Sequence, residues 1–348
     1  MPRLDSLFKM MLEKDASDLF ISSGAPPAYK IHGEVKPAAA ASESLTPAIC
    51  RQLIFELLSE DQRHQFEADN DLDFAYEIPG LARYRGNMFM QRRGISAVFR
   101  AIPSTIKSLE DLDLPEVVGK MARINRGLIL VTGATGSGKS TTLAAMIDVR
   151  NRERAEHILT LEDPLEFVHE NKKSIVHQRQ IGDHTHSFAS SLRAALREAP
   201  DVILVGEMRD LETISLAITA AETGHLVYGT LHTSSAAKTV DRIIDAFPAA
   251  QQAQIRTMLS ESLEAVIAQT LLKKKGGGGR VAACEVLVGV PAVRNLIREG
   301  KLHQIPSMMQ TGQRSGMQTL DMGLADLVKR GLVEQSALPP RPATGVAA

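Results

Sequence analysis

The chain has 348 residues, of which 44% are hydrophobic and 23% are charged, so it is long enough for two domains and too apolar to be disordered throughout. Its 40 Lys and Arg residues balance 41 Asp and Glu residues to a formal net charge of -1. This balance excludes a global field that would draw the whole molecule to nucleic acid or to an anionic membrane, so a charged partner must be met by a local patch.

The cysteine count and the apolar pattern bear on the compartment. Two cysteines, Cys50 and Cys284, are too few for a tetracysteine zinc site and favour a reducing compartment. The first residues carry scattered charges and lack the apolar core of a signal peptide. No run of about 18 apolar residues is present, as a spanning helix would need. We therefore expect a soluble cytoplasmic protein without structural zinc.

Residues 1–102 predict a compact domain of mixed α/β character with several antiparallel strands. A Thr46-Pro47 cap signal starts a helical pattern that continues to residue 68. Turn signals such as Pro26-Pro27 and Pro79-Gly80 separate short β-like runs. The predicted strands are Asp18–Ser22, Tyr29–Val35, Asp73–Glu77, Ala82–Gln91 and Ile95–Ala101.

A polar, proline-bounded stretch at 103–115 predicts a linker, and residues 116–335 predict an α/β domain. Here short apolar runs alternate with helical patterns, which is typical of a mainly parallel sheet covered on both faces. From Ala249 the pattern is mostly helical apart from a β-like run at Val281–Val288, and residues 336–348 predict a disordered tail. The predicted strands are the runs LILVTG, HILTLE, SIVHQRQI, DVILVGE and LVYGTLHT.

The strongest motif follows the first of these strands and opens a helix at Lys139. It fits the pattern G-x-x-x-x-G-K-[ST], in which glycines turn backbone N–H groups toward phosphate oxygens. The lysine of this pattern reaches the β- and γ-phosphates, and the Ser140 hydroxyl ligates Mg²⁺. The predicted nucleotide-binding residues are Gly133, Ala134, Thr135, Gly136, Ser137, Gly138, Lys139, Ser140 and Thr141.

Acidic residues follow two other predicted strands, at the sheet edge where ligands bind in parallel sheets. Glu162 ends HILTLE, and Asp163 and Glu166 come after it; a solvated turn is the alternative interpretation. Glu207 ends the run DVILVGE, at the position of a Walker B acid. Gly206 stands before it, where many relatives of this architecture have Asp. The predicted Mg²⁺ site therefore relies on Ser140 and Glu207, with waters or the carboxylates from Glu162 to Glu166 as alternatives.

Histidines and arginines complete the set of candidate catalytic residues. His225 and His232 bracket the strand LVYGTLHT, where an imidazole can hydrogen-bond a γ-phosphate. Arg83 and Arg85 share one side of a predicted strand, and Arg100 ends another. Arginines neutralise the charge that develops in phosphoryl transfer, while a solvated strand face is the alternative for these three.

These segments together resemble the secretion and type IV pilus ATPase superfamily. GATGSGKSTT, LTLEDPLEFVH, LREAPDVILVGEMRDLETI and AETGHLVYGTLHT are similar to its Walker A motif, Asp box, atypical Walker B motif and His box. The similarity covers nearly all of the chain except the tail. Within the superfamily the chain most resembles the PilT family of pilus retraction ATPases, through a segment similar to that family's retraction motif. Its residues are Ala292, Val293, Arg294, Asn295, Leu296, Ile297, Arg298 and Glu299.

The resemblance implies a homohexameric ring of subunits, each with an N-terminal PAS-like domain and a RecA-like core. It implies hydrolysis of ATP with Mg²⁺, with the nucleotide between the two domains of a subunit. It also implies a position at the inner-membrane base of the pilus machine, on a PilC-like platform protein, with a PilU-like paralogue as a possible partner. In the residues alone, Val293, Leu296 and Ile297 form one apolar stripe, which leaves Arg294, Asn295 and Arg298 outward.

Four alternatives stay open from the sequence. Phe20 stands where PilT-like sequences often have His, a choice closer to PilU-like accessory ATPases. Pilus assembly and type II secretion ATPases usually carry a further N-terminal domain and a tetracysteine insertion, for which this chain has no room. A nucleic-acid motor would need a basic channel with interleaved aromatic residues, and aromatic residues make up only 4% of the chain. A scaffold that binds nucleotide without hydrolysis would not need all of the candidate catalytic residues.

Overall fold

The computed structural model describes residues 3–31, 33–39, 43–102, 105–277 and 279–338. The chain divides into two compact units, the first ending at Thr105 and the second beginning at Ile106. Of the predicted tail, residues 339–348 lie outside the described residues, and Gln335–Ala337 form a 3-10 turn. Among the residues described, no helix has the length and apolar character needed to span a membrane.

The first unit is an antiparallel sheet with helices packed on one face. Within the described residues the sheet has six strands in the order β3-β2-β1-β6-β5-β4. Phe8 of the first helix packs on Tyr84 and Phe99, with ring centroids 4.4 and 5.0 Å away. The elements are α1 (Asp5–Glu13), β1 (Asp18–Ser22), β2 (Ala28–Ile31), β3 (Glu34–Pro37), α2 (Pro47–Phe55), α3 (Glu60–Asp69), β4 (Asp71–Ile78), β5 (Ala82–Gln91) and β6 (Gly94–Ile102).

Two predictions for this unit are wrong in detail. The run predicted as one strand, Tyr29–Val35, is the hairpin of β2 and β3, because Gly33 adopts a φ of +91° and turns the chain. The helix predicted over residues 46–68 is two helices. Ser59 and Gln62 form a capping box that starts α3 as a separate helix.

The second unit is a mainly parallel sheet with an apolar core on each face. In the described residues the sheet has seven strands in the order β13-β12-β7-β11-β10-β8-β9, and only β13 runs antiparallel to its neighbour. The elements are α4 (Glu116–Ala122), β7 (Gly127–Thr132), α5 (Lys139–Glu153), β8 (His157–Glu162), β9 (Ile175–Gln180), α6 (Phe188–Ala195), β10 (Val202–Val205), α7 (Leu211–Glu222), β11 (Leu226–Leu231), α8 (Ala236–Asp245), α9 (Ala249–Ser262), β12 (Leu263–Lys273), β13 (Arg280–Val288), α10 (Pro291–Arg298), α11 (Ile305–Thr311) and α12 (Leu320–Lys329).

The strand β12 corrects the prediction that the chain is mostly helical from Ala249. It lies parallel to β7, with Val266 opposite Leu130, and its residues Ala265–Ala268 are buried. A short apolar run buried on both faces has no period that separates a strand from a helix. Its pairing with β7, more than 120 residues away in the sequence by the register just given, decides its conformation.

Most of the predicted linker belongs to the second unit. Leu109 is buried in the core that packs against β7 and α5. Asp113 accepts hydrogen bonds from Lys274 at 3.0 Å and from Arg330 at 2.7 Å, which fasten this segment to the end of β12 and to the residue after α12. The part that remains as a connection is short, and its residues 103–104 lie outside the described residues.

Candidate active site

The loop between β7 and α5 has the backbone geometry of a phosphate cradle. Gly133, Gly136 and Gly138 adopt φ values of +140°, +77° and +90°, which only glycine accepts without strain. A Cβ on Gly133 would lie 2.3 Å from the Gln269 carbonyl oxygen, so the glycine is also needed for space. The loop therefore brings its N–H groups and the N-terminus of α5 together, an arrangement that favours an anion.

Lys139 lies across this loop. Its Nζ donates to the carbonyl oxygens of Gly133 at 2.9 Å and Ala134 at 3.1 Å. Burial lowers the pKa of Lys139, and the nearby charges of Glu207 and Glu166 partly offset that effect. The structure thus brings Glu207 and Glu166, two of the predicted carboxylates, close enough for their charges to act on Lys139.

The donor set of the loop fits a nucleotide with Mg²⁺. Ser137 has a buried hydroxyl without a hydrogen-bond partner, as expected for a group that bonds a phosphate oxygen. Ser140 lies half-buried in the first turn of α5. Over the residues described, no group of three or more His, Cys, Asp or Glu residues is arranged to hold a metal ion.

Glu207 lies immediately beyond β10, held by two basic side chains. Its Oε1 accepts from Nε2 of His232 at 2.9 Å and pairs with Nε of Arg209 at 2.5 Å. Burial raises the pKa of Glu207, but Arg209 and His232 outweigh it, so the net pKa is lower than usual. A Cβ on Gly206 would approach the Leu161 carbonyl oxygen to 3.0 Å, a tight contact.

Glu162 ends the neighbouring strand β8, and Asp163 and Glu166 follow it, but their environments differ. Oε1 of Glu162 accepts from the Thr160 hydroxyl at 2.7 Å, and burial raises the pKa of Glu162 to about 7. Asp163 and Glu166 are exposed. The bond between Asp163 and Pro164 is cis. The charge of Asp163 acts on Arg209, which connects this segment electrostatically with the loop after β10.

The two predicted histidines lie at opposite ends of β11. His232 follows the carboxyl end and contacts Glu207. His225 precedes the amino end, where its Nδ1–H donates to the Ala220 carbonyl oxygen at 2.9 Å. A strand of this length separates the two by about 20 Å at ~3.3 Å per residue. The expectation that both histidines reach the phosphate is therefore wrong within this unit, and only His232 stays a candidate there.

The three predicted arginines lie together on one face of the sheet in the first unit. Arg85 is directly opposite Arg100 in the pairing of β5 with β6, and Arg83 is two residues away on the same side. The intervening side chains point to the core, as the buried Tyr84 shows. Arg85 lies 3.6 Å from Asp73, and Arg100 lies 2.8 Å from Asp18. Their role toward a nucleotide stays a prediction.

The segment 292–299 forms most of α10. Its apolar stripe of Val293, Leu296 and Ile297 is buried in the core, as predicted. Asn295 and Arg298 are exposed, but Arg294 is not outward. Arg294 folds back on the end of α9, because the carbonyl groups in the last turn of a helix lack partners within the helix.

Sequence reasoning missed two contributors to this site. Arg209 contacts Glu207, and its position two residues after that carboxylate was the available signal. Gln269 supports the phosphate loop, donating to the Ser137 carbonyl oxygen at 2.7 Å and accepting from the Thr142 hydroxyl at 3.0 Å. No signal indicated Gln269, since β12 was predicted as helix.

Comparison with known proteins identifies the family of this chain. Residues 3–333 match the family described as type II/IV secretion system protein. The chain belongs to this family. It is 54% identical over 335 residues to the type IV pilus retraction ATPase PilT of Pseudomonas aeruginosa, covering 95% of this chain and 96% of that protein. It is 55% identical over 315 residues to a twitching motility protein of Neisseria gonorrhoeae, covering 89% and 83%.

Two further comparisons refine the placement within the family. Identity to the type IV pilus ATPase PilU of Pseudomonas aeruginosa is 42%, covering 94% of this chain and 85% of that protein. The crystal structure of the pilus retraction motor PilT with bound ADP superimposes with a TM-score of 0.91 at 47% identity, covering 98% of each chain. The resemblance drawn from the motifs is thereby confirmed, and so is the fold class.

Proposed function

We propose that this chain is an ATPase that hydrolyses ATP with Mg²⁺ to power type IV pilus retraction. One observation carries the catalytic part: the phosphate loop places Lys139 in the same electrostatic neighbourhood as Glu207, which is held ionised by Arg209 and His232. The retraction part is supported by the relatives named above, because identity to PilT exceeds identity to PilU.

The chemistry follows from the positions of the side chains. Mg²⁺ bound together with ATP would neutralise part of the charge on the phosphates. Ser140 and Glu207 would hold the ion, and Lys139 would bind the β- and γ-phosphates. Glu207, ionised at neutral pH, orients the attacking water, while His232 and Arg209 fix its carboxylate.

The remaining carboxylates and the arginines have supporting roles in this proposal. Glu162, Asp163 and Glu166 line the neighbouring strand end. Arg83, Arg85 and Arg100 supply positive charge for the transition state, since an arginine finger contributes roughly 10³ to 10⁵ in rate where one operates. We propose further that the chain works as a homohexamer at the inner-membrane base of the pilus, on a platform protein and together with a PilU-like paralogue.

The first test is phosphate release by the purified full chain carrying Lys139→Ala. We expect hydrolysis to fall at least a hundredfold, because the cation that binds the γ-phosphate is lost. Lys329→Ala removes an exposed lysine of α12 and serves as the matched control, with unchanged activity expected. Full activity of Lys139→Ala would contradict the proposed site.

The direction of work is tested in cells that carry Lys139→Ala at the native locus. We expect excess surface pili by electron microscopy together with lost twitching motility, because pili would be assembled but not withdrawn. Cells without pili would instead show an assembly motor. Unchanged pili and motility would contradict an essential retraction role.

A further inference from the structure

The segment that carries Glu166 is extended, although it is not a strand of the sheet. Its burial alternates: Leu165, Phe167 and His169 are buried, whereas Glu166 and Val168 are exposed. Such alternation is the pattern of a chain lying along one face of a neighbouring element. That element is β9, which forms the edge of the sheet in the described residues.

Two glutamine side chains of β9 bind the backbone of this segment. Oε1 of Gln178 accepts from the His169 N–H at 2.8 Å, and its Nε2 donates to the Phe167 carbonyl oxygen at 2.8 Å. Oε1 of Gln180 accepts from the Leu165 N–H at 3.1 Å. The amides therefore bond alternate residues of the segment, as the backbone of an adjacent strand would.

The same amides also reach acidic groups. Nε2 of Gln178 lies 3.4 Å from Oε1 of Glu162, and Nε2 of Gln180 donates to Asp183 at 2.6 Å. Because Leu165 and Phe167 are held inward, Glu166 between them faces outward. Burial lowers the pKa of Lys139, and the charge of Glu166 partly offsets that effect. Gln178 thus connects the carboxylate of Glu162, at the end of β8, with the backbone that orients Glu166.

We propose that Gln178 and Gln180 are positioning residues for ATP hydrolysis, which hold Glu162 and Glu166 in place at the phosphate loop. The inference rests on the proposed function. The far end of the segment is fastened independently, since Asn151 of α5 donates to the Glu170 carbonyl oxygen at 2.7 Å and accepts from the Lys172 N–H at 3.0 Å. Loss of a glutamine amide should therefore loosen the carboxylates without releasing the whole connection between β8 and β9.

The test is Gln178→Met in the full chain, which keeps the side-chain length and removes all three hydrogen bonds. We expect kcat for ATP hydrolysis to fall about tenfold, while the Kd for ADP stays within about twofold, because no contact of Lys139 or the loop 133–138 is lost. Gln252→Met is the matched control: Gln252 donates to a single backbone carbonyl, that of Phe247, at 3.2 Å. We expect it to leave both constants unchanged.

A second variant separates positioning from folding. Gln178→Glu still accepts from the His169 N–H but places a second carboxylate beside Glu162, which raises the pKa of Glu162. The acidic limb of the kcat profile should then move to higher pH by about one unit. A merely structural role would lower the melting temperature and leave this limb where it is. If Gln178→Met does not fold, Gln180→Met is measured in the same way.

The outcomes distinguish this inference from the proposed function. A wild-type chain that releases no phosphate would overturn the proposed function itself. A wild-type chain inactivated by Lys139→Ala, but with Gln178→Met and Gln178→Glu matching wild type in kcat and pH profile, would overturn only the positioning role. An equal loss of kcat in Gln252→Met would overturn it as well.

Discussion

At the scale of single residues, the pKa values of two carboxylates at one sheet edge are shifted in opposite directions. Burial raises the pKa of Glu162 to about 7, whereas Arg209 and His232 hold that of Glu207 below its usual value despite burial. Environments that separate two acids in this way assign them different work. Glu207 is suited to act as an anion throughout the neutral range, and Glu162 can carry a proton in part of it.

The raised pKa of Glu162 predicts a pH-dependent cost in stability. Between pH 4.5 and about 7 the folded chain keeps a proton that the unfolded chain releases, so the free energy of unfolding falls as the pH rises through this window. Glu162→Gln abolishes the effect. We expect it to be more stable than wild type by about 2 to 3 kcal/mol at pH 8 and equal to it at pH 4.

Urea unfolding at these two pH values measures the difference. Glu170→Gln is the control, since Glu170 is an exposed acid in the same segment, and its stability should follow wild type at both. A Glu162→Gln variant less stable than wild type at pH 8 would show that the ionised carboxylate is stabilised by its neighbours instead.

At the scale of elements, Arg294 joins three pieces of the second unit. It donates to the carbonyl oxygens of Ser260 at 3.0 Å and Glu261 at 2.6 Å in the last turn of α9. It also donates to the Gly289 carbonyl oxygen at 2.7 Å and pairs with Glu264 of β12 at 2.8 Å. Part of the segment 292–299 therefore acts as a C-terminal cap for a helix, while Asn295 and Arg298 stay available on its exposed side.

This arrangement predicts different effects for two arginines of one helix. Arg294→Met should lower the free energy of unfolding by about 2 to 4 kcal/mol, because four hydrogen bonds are lost, three of them partly buried. Arg298→Met should change it by less than about 0.5 kcal/mol, since Arg298 is exposed and lies 3.9 Å from Glu261. Chemical denaturation of both variants provides the comparison. Equal stabilities would show that Arg294 is not a cap.

The elements also show how far the sequence could lead. The phosphate loop and the strand β7 that precedes it were predictable, because glycine spacing and short apolar runs are local signals. The strand β12 was not, since its conformation depends on pairing with β7. The position of His225 was misjudged because a strand has two ends, and only the carboxyl end faces the site. Arg294 looked like a surface residue because helical periodicity does not register carbonyl groups of another helix.

At the scale of the whole molecule, the proposed machinery is divided between two units. The phosphate loop and its carboxylates belong to the second, whereas Arg83, Arg85 and Arg100 share a face of the first. We expect that chains arranged in a ring transmit conformational changes to their neighbours, so that the activity of one subunit depends on the state of the others.

This dependence can be measured by mixing chains. In light scattering with nucleotide we expect a mass of about 227 kDa, six times the 37.8 kDa of one chain. Wild type and Lys139→Ala, dissociated and reassembled together in equal amounts, should then hydrolyse ATP at well below half the wild-type rate, because nearly every ring contains inactive subunits. The same mixture made with Lys329→Ala should keep the full rate. Retention of half the activity would mean that subunits work independently, and the cooperative ring would have to be abandoned even if the mass were that of a hexamer.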